Sequence, residues 1–63
     1  MNYNQATLYA TTGKILLLPG WHGYFYWNYG TKELNFRDGD YHLDSKQLED
    51  KNIRDRSDWY YIT

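Results

Sequence analysis

The stretch from Leu16 to Tyr29 constrains this chain most, because apolar and aromatic side chains flank two glycine-containing breaks within it. Pro19 has no amide hydrogen to donate to a strand ladder, so regular pairing is expected to stop there. Gly20 and Gly23 permit the positive φ angles that a tight corner requires. The pattern therefore predicts two short strands joined at this corner, and the other segments must cover or extend the resulting sheet.

The two predicted strands are expected to use their side chains differently. Residues 15–18 form a continuous apolar run, which is typical of a strand covered on both faces. Alternation along the second strand selects a more apolar set for the core, namely Phe25, Trp27 and Tyr29. Tyr24 and Tyr26 are then predicted to face outward or to face a partner.

Residues 2–12 are predicted to form a helix, because their apolar side chains recur at spacings of three and four rather than two. Asn2 is a suitable N-cap, and Gln5 completes the spacing of a capping box. Gly13 is the expected stop signal. The alternative is a strand that turns at Thr12-Gly13 into the next strand, which would favour an all-β, SH3-like small barrel.

Turn and capping signals divide the second half of the chain. The segment Arg37-Asp38-Gly39-Asp40 predicts a hairpin, because an Asp-Gly pair suits a type I′ turn. The Asp44-Ser45 pair offers an N-cap for a short helix over residues 46 to about 52, and residues 58–62 form the predicted closing strand. The whole chain, residues 1–63, is therefore predicted to be one α+β domain. Its expected architecture is a small antiparallel sheet of four or five strands, with an N-terminal helix and a short helix before the last strand.

Composition and charge disfavour several classes of partner. The net charge of −1 gives no electrostatic footprint for direct nucleic-acid binding. The longest apolar run is far too short to span a membrane.

At 63 residues without cysteine, the chain has neither a large core nor a disulfide, so a homo-oligomer is expected. The expected location is the cytoplasm, which the lack of cysteine fits.

No catalytic or metal-binding pattern emerges from the residue types and their spacing. Ser45 and Ser57 lie in polar segments, and neither His22 nor His42 has a recognisable partner spacing. The sequence therefore predicts a protein that is not an enzyme and that has no metal or cofactor.

The aromatic content is the feature that a small core does not explain. Eight Tyr, three Trp and two Phe side chains exceed what one small sheet can bury, so several are expected at a subunit contact or a ligand site. Arg54 and Arg56 lie close to Trp59 in the sequence. Basic side chains beside a stacking tryptophan form a generic site for a phosphorylated nucleotide.

Three segments carry a resemblance to a known family. They are Gly13-Lys14-Ile15-Leu16, then Pro19-Gly20-Trp21-His22-Gly23 before an aromatic strand, and the closing Asp58-Trp59-Tyr60-Tyr61. Together they resemble the phage Thoeris anti-defence sponge family of small phage and prophage proteins. The resemblance implies an α+β protomer that oligomerises and sequesters a cyclic ADP-ribose-type signalling nucleotide without cleaving it. The residues that match the family's motifs are Gly20, Trp21, Gly23, Asp58 and Trp59.

The resulting hypothesis is a phage-encoded counter-defence protein that binds a cyclic nucleotide or ADP-ribose-type messenger without catalysis. Trp21 with Tyr24 or Tyr26 would stack on the base, and Arg54 or Arg56 would neutralise phosphate. The predicted ligand-binding residues are Trp21, His22, Tyr24, Tyr26, Arg54, Arg56, Asp58 and Trp59. One alternative is a small inhibitor that uses an exposed aromatic face against a host or phage protein. The other is a purely structural interaction module.

Overall fold

An antiparallel sheet of five strands, covered by helices on one face, forms the fold that the computed structural model describes for residues 1–62. The helices are α1 (Tyr3–Thr11) and α2 (Ser45–Leu48), and α2 is followed by two 3₁₀ turns, Glu49–Lys51 and Ile53–Asp55. The strands are β1 (Ile15–Leu17), β2 (Tyr24–Asn28), β3 (Glu33–Asp38), β4 (Tyr41–Leu43) and β5 (Tyr60–Ile62). They lie in the order β4-β3-β2-β1-β5. The predicted α+β class is confirmed, as is the short helix before the last strand.

The N-terminal helix begins at the capping box that the sequence predicts. Asn2 Oδ1 accepts a hydrogen bond from the Gln5 amide at 2.8 Å, and Gln5 Oε1 accepts one from the Asn2 amide at 2.9 Å. Gly13 follows the helix with a φ of +95°, a left-handed conformation that glycine adopts readily. Ala6 and Ala10 are buried, so small side chains bring α1 close to the sheet. The alternative strand, and the all-β barrel with it, does not occur.

Two elements of the second half differ from the prediction in their boundaries. Asp38 pairs with Tyr41, so the central residues of the β3–β4 hairpin are Gly39 and Asp40. Of these two, only Gly39 has a positive φ, +61°, which is typical of a type II′ turn rather than type I′. The α2 helix is also shorter than predicted: it ends at Leu48, and the chain continues in 3₁₀ turns.

We call the face on which both helices pack the inner face, and it carries the hydrophobic core. Leu16, Phe25 and Phe36 lie side by side on three adjacent strands and are nearly inaccessible to solvent. The core residues contributed by the helical segments and the chain leading into β5 are Ala6, Ala10, Leu48, Ile53 and Trp59. A single layer of helices therefore buries one side of the sheet.

The core set predicted for β2 is only partly correct. Phe25 is fully buried, and Trp27 is half-buried against the core. Tyr29 is 63% exposed, because β2 ends at Asn28 and the chain turns before Tyr29 can point inward. Its hydroxyl instead donates a hydrogen bond to the Thr11 carbonyl at 2.9 Å.

Candidate docking surface

The outer face of the sheet, opposite the helices, consists of the side chains that alternate with the core residues along each strand. Neither helix of residues 1–62 packs over it, because both direct their buried side chains to the inner face. Its apolar members are half-buried or exposed, and exposure reaches 46% for Tyr60 and 53% for Ile62. Contiguous exposed apolar surface of this kind marks binding sites in soluble proteins.

Strand pairing arranges most of the outer face in two rows that cross the sheet. The first row consists of Ile62, Ile15, Tyr26 and Asn35. The second row consists of Tyr60, Leu17, Tyr24, Arg37 and His42. Glu33 and Asn28, which pair with each other, lie beyond the first row. Apolar groups therefore fill the middle of the face and its β5 side, while charged groups gather toward β3 and β4.

The two tyrosines that were predicted to face outward do lie on this surface. The Tyr24 and Tyr26 rings are neighbours on one strand, with centroids 6.0 Å apart. Beside them, Asn35 is only 7% exposed, and its Oδ1 accepts a hydrogen bond from Asn28 Nδ2 at 2.9 Å. The Asn35 Nδ2 atom is buried and has no partner within residues 1–62.

Sequence reasoning missed several members of the outer face, among them Ile15, Leu17 and Arg37. Residues 15–18 were expected to be covered on both sides, and this is wrong: Leu16 is buried, whereas Ile15 and Leu17 remain partly exposed on the outer face. Arg37 was assigned only to a turn, although it extends β3 and lies opposite Tyr24. The missing information was strand register, since the Leu16–Phe25 pairing decides which face each β1 residue occupies.

The glycine corner lies at one end of the sheet and is packed rather than open. The Trp21 ring contacts Phe25 and Phe36, with centroids 5.2 and 5.1 Å away, so one side of the indole is occupied by core residues. His22 is exposed. Gly23 has a φ of +107°, and a Cβ atom there would lie 2.5 Å from the Arg37 carbonyl oxygen. The corner is therefore pressed directly against β3.

Arg56 and Asp58 are also brought to this corner, but they neutralise each other. Arg56 Nε donates to Asp58 Oδ1 at 2.9 Å, and Nη2 donates to Asp58 Oδ2 at 2.5 Å. Nη2 also donates to the Pro19 carbonyl at 3.2 Å, which ties the corner to the chain before β5. The hydrogen bond from Arg56 lowers the pKa of the Asp58 carboxyl below its ordinary value. The guanidinium is therefore already engaged by a carboxylate rather than free for a phosphate.

The remaining predicted ligand residues, Trp59 and Arg54, lie on the helical side. Trp59 is 2% exposed, and its Nε1 donates a hydrogen bond to the Ile53 carbonyl at 3.3 Å. Its ring packs on the Phe25 ring, with centroids 4.8 Å apart. Arg54 lies over the Tyr3 ring at 5.5 Å on the exposed side of the helical layer. The fold thus brings Trp21, His22, Arg56 and Asp58 to the corner and Tyr24 and Tyr26 to the outer face. It separates both groups from Arg54 and encloses Trp59 in the core.

A second apolar feature lies on α1, away from the outer face. It is a wide, shallow depression of about 360 Å³ lined by Gln5, Leu8, Tyr9 and Thr12. Among residues 1–62, no group of three or more His, Asp or Glu side chains is placed to hold a metal ion. No helix in the described part of the chain is both long and apolar enough to cross a membrane.

Comparison with known proteins returns no relative: the chain matches no protein-family model, and no curated protein or solved structure resembles it significantly.

Proposed function

We propose that this protein is a non-catalytic binding protein that docks another protein through the outer face. The observation that supports this most directly is an aromatic and aliphatic sheet surface that no helix of residues 1–62 covers. Tyrosine and isoleucine side chains held on a rigid sheet supply contact area at low entropic cost. An open sheet face fits a protein partner better than it encloses a small molecule, because small-molecule sites are concave.

Hydroxyl-radical footprinting of the tyrosines tests this proposal. Tyr24 and Tyr26 on the outer face should become several-fold less reactive in the cell than in purified protein at 1 µM, because a bound partner excludes solvent from them. Tyr29 and Tyr41 are exposed but lie off the outer face, so they serve as internal controls and should react equally in both conditions. Equal reactivity of Tyr24 and Tyr26 in both conditions would contradict the proposal.

A second candidate is a nucleotide-binding counter-defence protein, the function that the family resemblance implies. The observation in its favour is the second row of the outer face, where Tyr24 lies beside Arg37, and Arg37 beside His42. A ring for stacking next to a guanidinium suits a base with an attached phosphate. In this version Arg37 takes the phosphate-binding role that was predicted for Arg54 or Arg56.

Isothermal titration with cyclic ADP-ribose isomers and cyclic dinucleotides tests the second candidate. A ligand bound at the second row should lose at least about tenfold in affinity with Arg37→Ala, since charge-assisted hydrogen bonds contribute about 1.5–3 kcal/mol. Arg54→Ala is the matched control, because Arg54 lies on the other side of the molecule. No heat with any of these compounds would defeat the nucleotide candidate and leave the protein-docking proposal standing.

A further inference from the structure

We infer that the outer face docks on the outer face of a second copy of this chain, with the two β3 strands running antiparallel across the interface. This inference rests on the proposed function, because it names the partner of that same surface. Two sheets that pack face to face lie about 10 Å apart with their strands nearly aligned. Such a contact would convert two half-covered sheets into a four-layer assembly with helices on both outsides.

The charges along β3 select a second copy in this orientation. Glu33, Asn35 and Arg37 alternate onto the outer face, so a negative, a neutral and a positive side chain follow one another. Glu33 and Arg37 are four residues apart, about 13 Å along the strand, and they form no ion pair with each other. A two-fold axis through Asn35 and perpendicular to β3 places each Glu33 opposite the partner's Arg37. A parallel arrangement would instead oppose like charges.

The apolar residues meet along the same axis. The first row runs across the sheet from Asn35 through Tyr26 and Ile15 to Ile62, so a two-fold axis along this row brings each of these side chains against its own counterpart. The contact is therefore apolar along the first row from Ile62 to Tyr26, and the same axis places Tyr24 opposite the partner's Asn28 and Arg37 opposite the partner's Glu33. One charge pattern and one apolar row specify the same symmetric arrangement.

The size of the outer face predicts how strong this association is. The five strands have three to six residues each and lie about 4.8 Å apart, which gives a sheet area of about 300 Å² per copy, and the molecule itself spans 25 Å in its longest direction. A standard stable interface buries about 800 Å² per partner. The dimer is therefore expected to be concentration-dependent rather than permanent.

Sedimentation equilibrium of charge variants between 5 µM and 1 mM tests this inference. Glu33→Arg and Arg37→Glu should each weaken self-association at least tenfold, because each replaces two attractive contacts with repulsive ones. An equimolar mixture of the two variants, and the double variant Glu33→Arg/Arg37→Glu, should both associate within about threefold of the wild type. Thermal unfolding followed by circular dichroism confirms that each variant is folded.

Three results would overturn the inference. They are a wild type that is monomeric at 1 mM, single variants that associate like the wild type, and a double variant that fails to recover. None of these results removes the proposed function, which fails separately if Tyr24 and Tyr26 are not protected in the cell. Protection in the cell together with a monomeric wild type would assign the outer face to a different protein.

Discussion

The inner and outer faces are formed by the same strands, yet they are apolar for different reasons. On the inner face, Leu16, Phe25 and Trp59 are at most 2% exposed and pack against the helical layer. On the outer face, Tyr60 and Ile62 are about half exposed, and neither helix of residues 1–62 lies over them. Folding therefore accounts for the apolar residues of the inner face but not for the exposed ones of the outer face. We propose that association accounts for the second set.

The largest expected effect comes from the inner face. Trp59→Ala removes a buried indole, its contact with Phe25 and its hydrogen bond to the Ile53 carbonyl. Such truncations cost about 3–5 kcal/mol. The total stability of a domain this size is about 3–9 kcal/mol, so the variant should be largely unfolded or close to it at 25 °C. Urea denaturation followed by circular dichroism measures this loss.

Tyr26→Ala is the matched truncation on the outer face. At 1 µM, where the proposed self-association would be negligible, it should lower the free energy of unfolding by no more than about 1 kcal/mol, because a partly exposed side chain loses little burial. A loss as large as that of Trp59→Ala would show that the outer face stabilises the monomer as much as the inner face does.

Substitutions at the glycine corner test how closely this end of the sheet is packed. Gly20 and Gly23 both have positive φ, but only at Gly23 does an added Cβ atom strike neighbouring atoms. Gly20→Ala should therefore cost about 1 kcal/mol, and Gly23→Ala about 3 kcal/mol, because the second variant adds steric overlap to backbone strain. Chemical denaturation of both variants gives the difference, and equal losses would mean that the corner does not press on β3.

Acid should break the Arg56–Asp58 pair, and the resulting loss of stability should be smaller than the losses expected at the glycine corner. Because the hydrogen bond from Arg56 depresses the folded-state pKa of Asp58, the contribution of the pair is present above the unfolded-state value of about 4. It is lost as the pH falls through the folded-state pKa. Asp58→Asn should remove this part of the acid dependence when urea midpoints are compared from pH 2 to pH 7. If the urea midpoint of Asp58→Asn falls with acid as steeply as that of the wild type, the pair contributes nothing to folding.

The smallest effect is expected at Asn35, the buried member of the first row. Asn35→Leu removes a buried amide nitrogen without a partner, which favours folding, but it also removes the acceptor of the Asn28 hydrogen bond. These effects oppose each other, so the unfolding free energy at 1 µM should change by less than about 1 kcal/mol. A loss of 3 kcal/mol or more in denaturant titrations would show that the asparagine network is essential to the monomer.

Local signals in the sequence predicted much of the fold. The Asn2 and Gln5 capping box, the stop at Gly13 and the β3–β4 hairpin are all set by residues within a few positions of one another. The candidate surface was harder to predict, because it depends on pairing between distant strands. The position of Leu16 opposite Phe25 exposes Ile15, and no local pattern carries that register.

Non-local packing also decided which predicted ligand residues lie together. Trp59 and Arg56 are close in the sequence, yet the ring of Trp59 enters the core and the guanidinium of Arg56 turns to the corner. An aromatic residue beside a basic one reads the same in sequence whether it belongs to a core or to a site. Only the packing of the helical layer against the sheet separates the two cases.

The most direct test of the proposed association through the outer face is the concentration dependence of amide chemical shifts, recorded by ¹H–¹⁵N NMR from 50 µM to 1 mM. Association through the outer face predicts changes that rise with concentration and are centred on Ile15, Tyr26 and Arg37, with none at Leu8 on α1. Spectra that do not change with concentration, or changes centred on α1, would contradict it.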